Sequence, residues 1–232
     1  MLSWVKNIYW EIKMFEFFKW QMKNQVQDHS WMKNPDSKIY KPMMNLNDSL
    51  QGIFTLFRKN LSQMSYNPIT YDSIVPFIKQ EYTELTPEQI DLWFYEDQSV
   101  EKFKTDIWAH GYTPSNQMRQ LLIQTNLCEH LQLDESTTKF RIHEQRPGQI
   151  WPLHLDRKKD QEFGRRPYKR YWIFFDDWQP GHAIQLGDQF IKWRAGDVWG
   201  YFDTDVPHGT ANFGHESRFI MMVTGALLPE TG

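Results

Sequence analysis

From about residue 138 onward this chain becomes a succession of short apolar or alternating runs, and that texture constrains its fold more than any other feature. The runs are Phe140 to His143, Gln149 to Leu153, Arg170 to Asp176, Ala183 to Leu186, Phe190 to Trp193, Val198 to Phe202 and Phe219 to Gly225. Turn signals separate them: Arg146-Pro147-Gly148, Gln179-Pro180-Gly181, Leu186-Gly187-Asp188, Ala195-Gly196-Asp197 and Phe213-Gly214. Short strands at such spacing predict a jelly-roll or barrel.

The first part of the chain reads differently. Residues 1 to about 30 look helical, about 31–48 look like a loop, and 49–60 suggest a short helix before a turn-rich piece at Tyr66-Asn67-Pro68. Thr86-Pro87-Glu88-Gln89 has a capping threonine, a proline at the first helical position and a glutamine that can reach back. Thr113-Pro114-Ser115-Asn116 opens a further helix through about Leu131, with Met118, Leu121, Leu122, Thr125 and Cys128 as its mainly apolar stripe. The expected class is α+β. A mainly helical region, 1–137, packs on a β core, 138–227, and 228–232 form a tail. That tail, Leu228-Pro229-Glu230-Thr231-Gly232, matches a sortase recognition tag; it is either appended or coincidental, and is set aside.

Within the β region, His154-Leu155-Asp156 is followed by His208 and then Arg218. Two imidazoles and a carboxylate are a ligand set that holds Fe(II) on one octahedral face and leaves the other open. Flanking a single residue, His154 and Asp156 project to the same side if the segment is extended. Arg218 lies in the strand-like Ser217-Arg218-Phe219-Ile220-Met221-Met222-Val223, and a guanidinium fork matches a carboxylate. Each residue also has an ordinary reading: His154 and Asp156 as a strand-end ion pair, His208 as a turn histidine after Pro207, Arg218 as a partner of Glu216 or Asp205. All of these holding together in this order is much the rarer outcome.

Gly196-Asp197-Val198-Trp199, Pro207-His208-Gly209-Thr210-Ala211-Asn212 and Arg218 fall where they do in the Fe(II)/2-oxoglutarate-dependent dioxygenases. Over roughly residues 138–226 the chain resembles that superfamily, with its nearest look to the aspartyl/asparaginyl β-hydroxylase-like branch. The resemblance implies a double-stranded β-helix (jelly-roll, cupin-like) core buttressed by the preceding helices. It also implies Fe(II) held by His154, Asp156 and His208, with 2-oxoglutarate and O2 as cosubstrates. Arg218 would clamp the far carboxylate of 2-oxoglutarate, with Arg170 a second contact. Two departures stand out. Trp172 occupies the place where that branch often has a histidine, and Asp156 is present where the branch often lacks a carboxylate. Arg141, His143, Trp172, Trp199 and Tyr201 are further pocket candidates, each equally readable as strand surface or core.

The implied activity is hydroxylation of an amino-acid residue in a protein or peptide, with succinate and CO2 as co-products. Alternatives are oxidation of a small molecule such as a free amino acid, a cupin dioxygenase that uses no 2-oxoglutarate, and a non-catalytic cupin-like binding protein. The basic run Arg157-Lys158-Lys159, Arg165-Arg166 and Lys169-Arg170 borders the motif and would suit an acidic substrate. A net charge of −3 gives no global field for nucleic acid. The single cysteine, Cys128, excludes an intramolecular disulfide framework and reads as a small buried residue, compatible with a reducing, cytoplasmic setting. Lysines and glutamates interrupt the aromatic stretch Met1 to Trp20, which excludes a membrane span or signal core. An amphipathic helix that docks on the body or a partner, or one that lies on a membrane surface, remains.

Overall fold

The computed structural model describes residues 41–70, 73, 106–154, 166–187, 189–200, 206 and 208–229. The expected N-terminal helix, the helix start at Thr86, the basic residues Arg157 to Arg165, Asp156, Tyr201 and the end of the tail lie outside the described residues.

Eleven described strands are β1 (Met44–Asn45), β2 (Ser65–Thr70), β3 (Ile107–Thr113), β4 (Lys139–Gln145), β5 (Ile150–His154), β6 (Tyr168–Phe174), β7 (His182–Leu186), β8 (Gln189–Phe190), β9 (Asp197–Gly200), β10 (His208–Asn212) and β11 (Arg218–Ala226). They form two sheets, β1-β9-β6-β11-β4-β3-β2 and β5-β10-β7-β8. All pairings are antiparallel. From β4 to β11 the chain crosses repeatedly between the sheets, so that β4, β6, β9 and β11 face β5, β7, β8 and β10. That alternation is the double-stranded β-helix, a cupin-like jelly-roll.

The larger sheet is buried on both faces. Tyr171, Ile173, Met221, Val223, Phe140, Ile142 and Val198 point to the outer side. There they pack under α1 (Asn47–Lys59), α2 (Asn116–Gln124) and α3 (Leu127–His130) through Leu50, Phe54, Phe57, Met118, Leu122, Leu127 and Cys128. Intervening residues of the same strands, Trp172, Phe174, Ile220 and Trp199, turn inward to meet Ile184 and Leu186 of the facing sheet. Strands covered on both sides read as almost unbroken apolar runs, as β6 and β11 do. The helices therefore buttress one sheet, as the sequence implied.

Several local expectations change. The loop expected to Asp48 already contains β1, and α1 begins at Asn47, whose amide donates to Asn45 Oδ1 at 3.0 Å. The piece around Tyr66-Asn67-Pro68, expected as turns, is β2; it is an edge strand, where proline's missing N–H is tolerated. With β1 and β3, it adds strands to the region expected to be mainly helical. The helix after Thr113 starts with Ser115 capping the Met118 amide, then breaks at Asn126, which adopts a left-handed φ of 57°. Leu127 takes a buried place on the stripe, while Leu121 and Thr125 are only half-buried. The run Phe190 to Trp193 is a strand only over β8.

Gly196, at φ +79°, lets the β8–β9 turn pass against the start of α1: its carbonyl accepts from Leu46 N at 2.8 Å, and an added Cβ would overlap the Asn47 backbone. Gly196→Ala is expected to cost upwards of about 1–2 kcal/mol from the left-handed conformation alone. Thermal unfolding would show this as a lower Tm, and an unchanged Tm would refute the account.

Candidate functional site

Strand order brings the three motif segments to one barrel. β5 ends at His154, and its neighbour β10 begins at His208; the two are register partners, Cα opposite Cα. Such pairs sit about 4.5–5.5 Å apart. Between this pair and the next, Thr210 with Trp151, β5 carries an extra residue. Pro152, which has no N–H to offer the ladder, falls in that bulge, a device that re-aims side chains beside functional sites. Asp156 lies outside the described residues. No cluster of three His, Cys, Asp or Glu side chains occurs among the described residues.

His208 is 4 % exposed. Its Nδ1 donates to the Val206 carbonyl at 3.0 Å, which fixes the tautomer and leaves the lone pair on Nε2. The Trp172 ring stands edge-on to it, centroids 5.6 Å apart. Burial, with Arg170 nearby, pushes the His208 imidazole down to about 3, so it is neutral at ordinary pH.

Across the barrel, the inward positions of the larger sheet form rows. At one end Arg218 is paired with Gln145; next come His143, Ile220 and Phe174; then Arg141, Met222, Trp172 and Trp199; last Lys139, Thr224 and Arg170. Successive rows are about 6.8 Å apart along the strands. Arg141 and Lys139 are exposed, whereas Arg218 is 4 % exposed, so Arg218 occupies a closed end. His208, beside Trp172, is level with the third row.

Arg218 is held by neutral groups. Nη1 donates to the carbonyls of Ala183 at 3.1 Å and Ala211 at 3.5 Å, and Nη2 to Gln145 Oε1. Trp193 lies under the guanidinium, 5.9 Å from ring centroid to Cζ, and stacks on Phe174. Nε of Arg218 is buried and has no hydrogen-bond partner. Burial lowers the guanidinium to about 9, which still leaves it charged at neutral pH. Of the ordinary partners that the sequence offered it, Glu216 gives its carbonyl to His182 and Asn212 while Gln145 meets the guanidinium, and Asp205 lies outside the described residues.

His143 is 9 % exposed, and its Nε2 also lacks a partner. Burial, then Arg141, Arg170 and Arg218 in turn, push its imidazole down to about 3. Among the described residues, the charges acting on it are guanidinium groups. A barrel interior with this character favours an anion.

The sequence-derived residues thus separate clearly. Arg218, His143, Arg170, Trp172, Trp199 and His208 are buried around the interior, and Arg141 is at its open rim. Arg166 of the basic run is taken up by Asp134 at 2.7 Å. Gln145, Trp151 and Trp193 were missed. Trp151 lies 5.4 Å from the His143 ring, and Gln145 aims its oxygen at Arg218 because its Nε2 is held by Trp108 O at 3.2 Å and Thr210 O at 3.4 Å. Only the register of Gln145 with Arg218 would have revealed it.

The fold and these inward rows define a cupin-like jelly-roll protein. No protein-family model and no curated protein matches the sequence. Similar solved structures are cupin-fold proteins. One is a predicted oxalate decarboxylase from Thermotoga maritima, at 14% identity and a TM-score of 0.32, covering 52% of this chain and 81% of that one. The Cnp3 cupin domain of Schizosaccharomyces pombe is similar at 9% identity and a TM-score of 0.30, over 40% of this chain and 58% of that one. Salicylate 1,2-dioxygenase from Pseudoaminobacter salicylatoxidans is similar at 13% identity and a TM-score of 0.27, over 38% and 20%. Among the described residues, no helix is long and apolar enough to cross a membrane.

Proposed function

We propose that this protein is an Fe(II)- and 2-oxoglutarate-dependent dioxygenase that hydroxylates an amino-acid residue in a protein or peptide. The observation that carries the reading is the opposition of two features. The register pair His154–His208 lies on one sheet, and a buried guanidinium with an unpartnered Nε–H lies on the other. In this reading His154, Asp156 and His208 hold the metal. Imidazole and carboxylate donors suit Fe(II), and with Nδ1–H on the Val206 carbonyl the His208 ring has its lone pair at Nε2, one of the two positions through which an imidazole can ligate.

Bound together, Fe(II), 2-oxoglutarate and O2 supply the oxidation of a C–H bond, with CO2 and succinate released. The chain supplies the rest. Arg218 offers a fixed positive charge to the far carboxylate, and neutral partners leave that charge unspent. Trp172, Phe174, Trp199 and Ile220 keep the interior dry, which strengthens these electrostatic contacts. Arg170 acts near His208 and Arg141 at the rim, where an approaching target would pass. The peptide target itself rests on the resemblance of the motifs.

Anaerobic titration of the apo-protein with Fe(II) and then 2-oxoglutarate tests the reading. A visible metal-to-ligand charge-transfer band is expected. Bound iron without a band would remove 2-oxoglutarate; absence of iron binding would leave a barrel-shaped binding protein.

A further inference from the structure

Gln149 lies where the chain crosses from the larger sheet to the smaller, between β4 and β5, and two backbone groups hold its amide in one orientation. Oε1 accepts from the Arg146 amide at 2.7 Å, and Nε2 donates to the Ile107 carbonyl at 3.0 Å. Turning the amide over would set donor against donor and acceptor against acceptor. The same Nε2 is 3.0 Å from His110 Nε2 on β3. An amide NH2 has only hydrogens to offer, so the imidazole presents its lone pair at Nε2 and carries its proton on Nδ1. Nδ1 then donates to the Tyr66 hydroxyl of β2 at 2.9 Å.

This arrangement opposes a second proton. A protonated imidazole has an N–H on both sides, and at Nε2 it would face another N–H. His110 is 6 % exposed, so water gives little relief. Among the described residues, the charged groups acting on it are Arg146, which repels a cation, and Glu144, its register partner on β4, which attracts one. That carboxylate is already engaged by the Tyr112 hydroxyl at 3.0 Å, Ser217 Oγ at 2.9 Å and Arg146 Nε at 3.1 Å. Burial first, then Arg146, hold the His110 imidazole below the ordinary histidine value.

The main chain of the same turn is tied to β10 of the facing sheet. Asn212 N donates to the Gln149 carbonyl at 3.0 Å, and Gly148 N to the Asn212 carbonyl at 2.7 Å. Independently of the dioxygenase reading, we propose that His110 and Gln149 form an acid-sensitive clasp between the two sheets, closed while the ring is neutral and opened by its protonation. Opening frees the β4–β5 crossing from β3. Because the fold lowers this histidine, the clasp contributes its full stability above the unfolded value, about 6.5, and loses it as pH falls from there toward the folded value.

NMR of the full chain tests the clasp. In the wild type, His110 is expected to show the Nδ1–H tautomer and a midpoint below about 6.5. Gln149→Met keeps the bulk and removes the amide; it should raise the His110 midpoint by about half a pH unit or more, because a hydrogen bond to the neutral form is lost. Hydrogen exchange reads the opening itself. Protection of the Arg146 and Asn212 amides should fall about threefold or more between about pH 7.5 and 5.5, measured against the Ile173 amide, whose strand is paired on both sides. His110→Phe should remove that dependence on pH. An Nε2–H tautomer, a midpoint unchanged by Gln149→Met, or protection that falls equally in wild type and His110→Phe overturns the proposal. Should His110→Phe not fold, the tautomer and the Gln149→Met midpoint decide alone.

Discussion

His208→Ala is expected to abolish the charge-transfer band and to lower Fe(II) affinity by at least about a hundredfold. Loss of groups that merely orient a metal ligand already costs about 10–100-fold, and removing a ligand exceeds that. A structural consequence is separable. The imidazole is buried against the edge of Trp172, so truncation leaves a cavity worth about 1–3 kcal/mol in the metal-free protein. Metal binding stabilises only the folded state, so two thermal scans separate the effects. The apo Tm falls modestly in the variant, while the rise in Tm that Fe(II) gives the wild type disappears. A variant that keeps both the band and the Fe(II)-dependent rise would remove His208 from the metal site. Because burial holds the ring neutral, mild acid should not mimic the substitution through this residue.

The β core was legible where strands are packed on both faces. β6 and β11 carry large apolar residues at consecutive positions, and each alternation separates the helix-covered side from the interior. β10 was not in the strand list, although its histidine was singled out. Its sequence, His-Gly-Thr-Ala-Asn, has no apolar period, yet all of it is buried. It forms a strand because β5 and β7 pair with it on either side. β3, Ile-Trp-Ala-His-Gly-Tyr-Thr, was hidden for a similar reason. Its glycine faces His143, and an added Cβ would meet the Asn67 carbonyl at 2.8 Å. Tertiary pairing overrode local propensity in both strands.

The motif residues of the proposed site stood out in the sequence because metal and carboxylate chemistry would call for few side-chain types. Supporting residues did not. A glutamine within a strand carries no motif, and Gln145 matters only through its register with Arg218 and its reach to the Thr210 carbonyl on the facing sheet. Trp193 read as strand, but it is the aromatic floor under Arg218 and packs beside His182. The grouping of Arg141, Arg170 and Arg218 on one face of the larger sheet was also invisible, because they come from three strands far apart in sequence.

Arg218→Met is expected to reduce 2-oxoglutarate affinity by at least about a hundredfold and to destabilise the fold. The affinity loss follows from removing one member of a desolvated charge–carboxylate contact, typically about 2–5 kcal/mol. The stability loss has a different origin. Gln145 Oε1 loses its donor, and the carbonyls of Ala183 and Ala211, which are register partners in the β7–β10 ladder, each lose a second contact; a buried acceptor left without a donor costs about 1–3 kcal/mol. Relief from burying a guanidinium offsets part of this, since burial already lowers Arg218 to about 9. Methionine also keeps contact with Trp193. The stranded Gln145 oxygen and the lost packing should still prevail; a net loss of about 1–2 kcal/mol is the expected balance. Arg218→Lys retains the charge but not the planar fork, so it should bind 2-oxoglutarate with intermediate affinity. Equal affinities for wild type, Lys and Met variants, measured on folded protein, would place the carboxylate elsewhere in the barrel. A Met variant as stable as wild type would show that Gln145 Oε1 finds another donor.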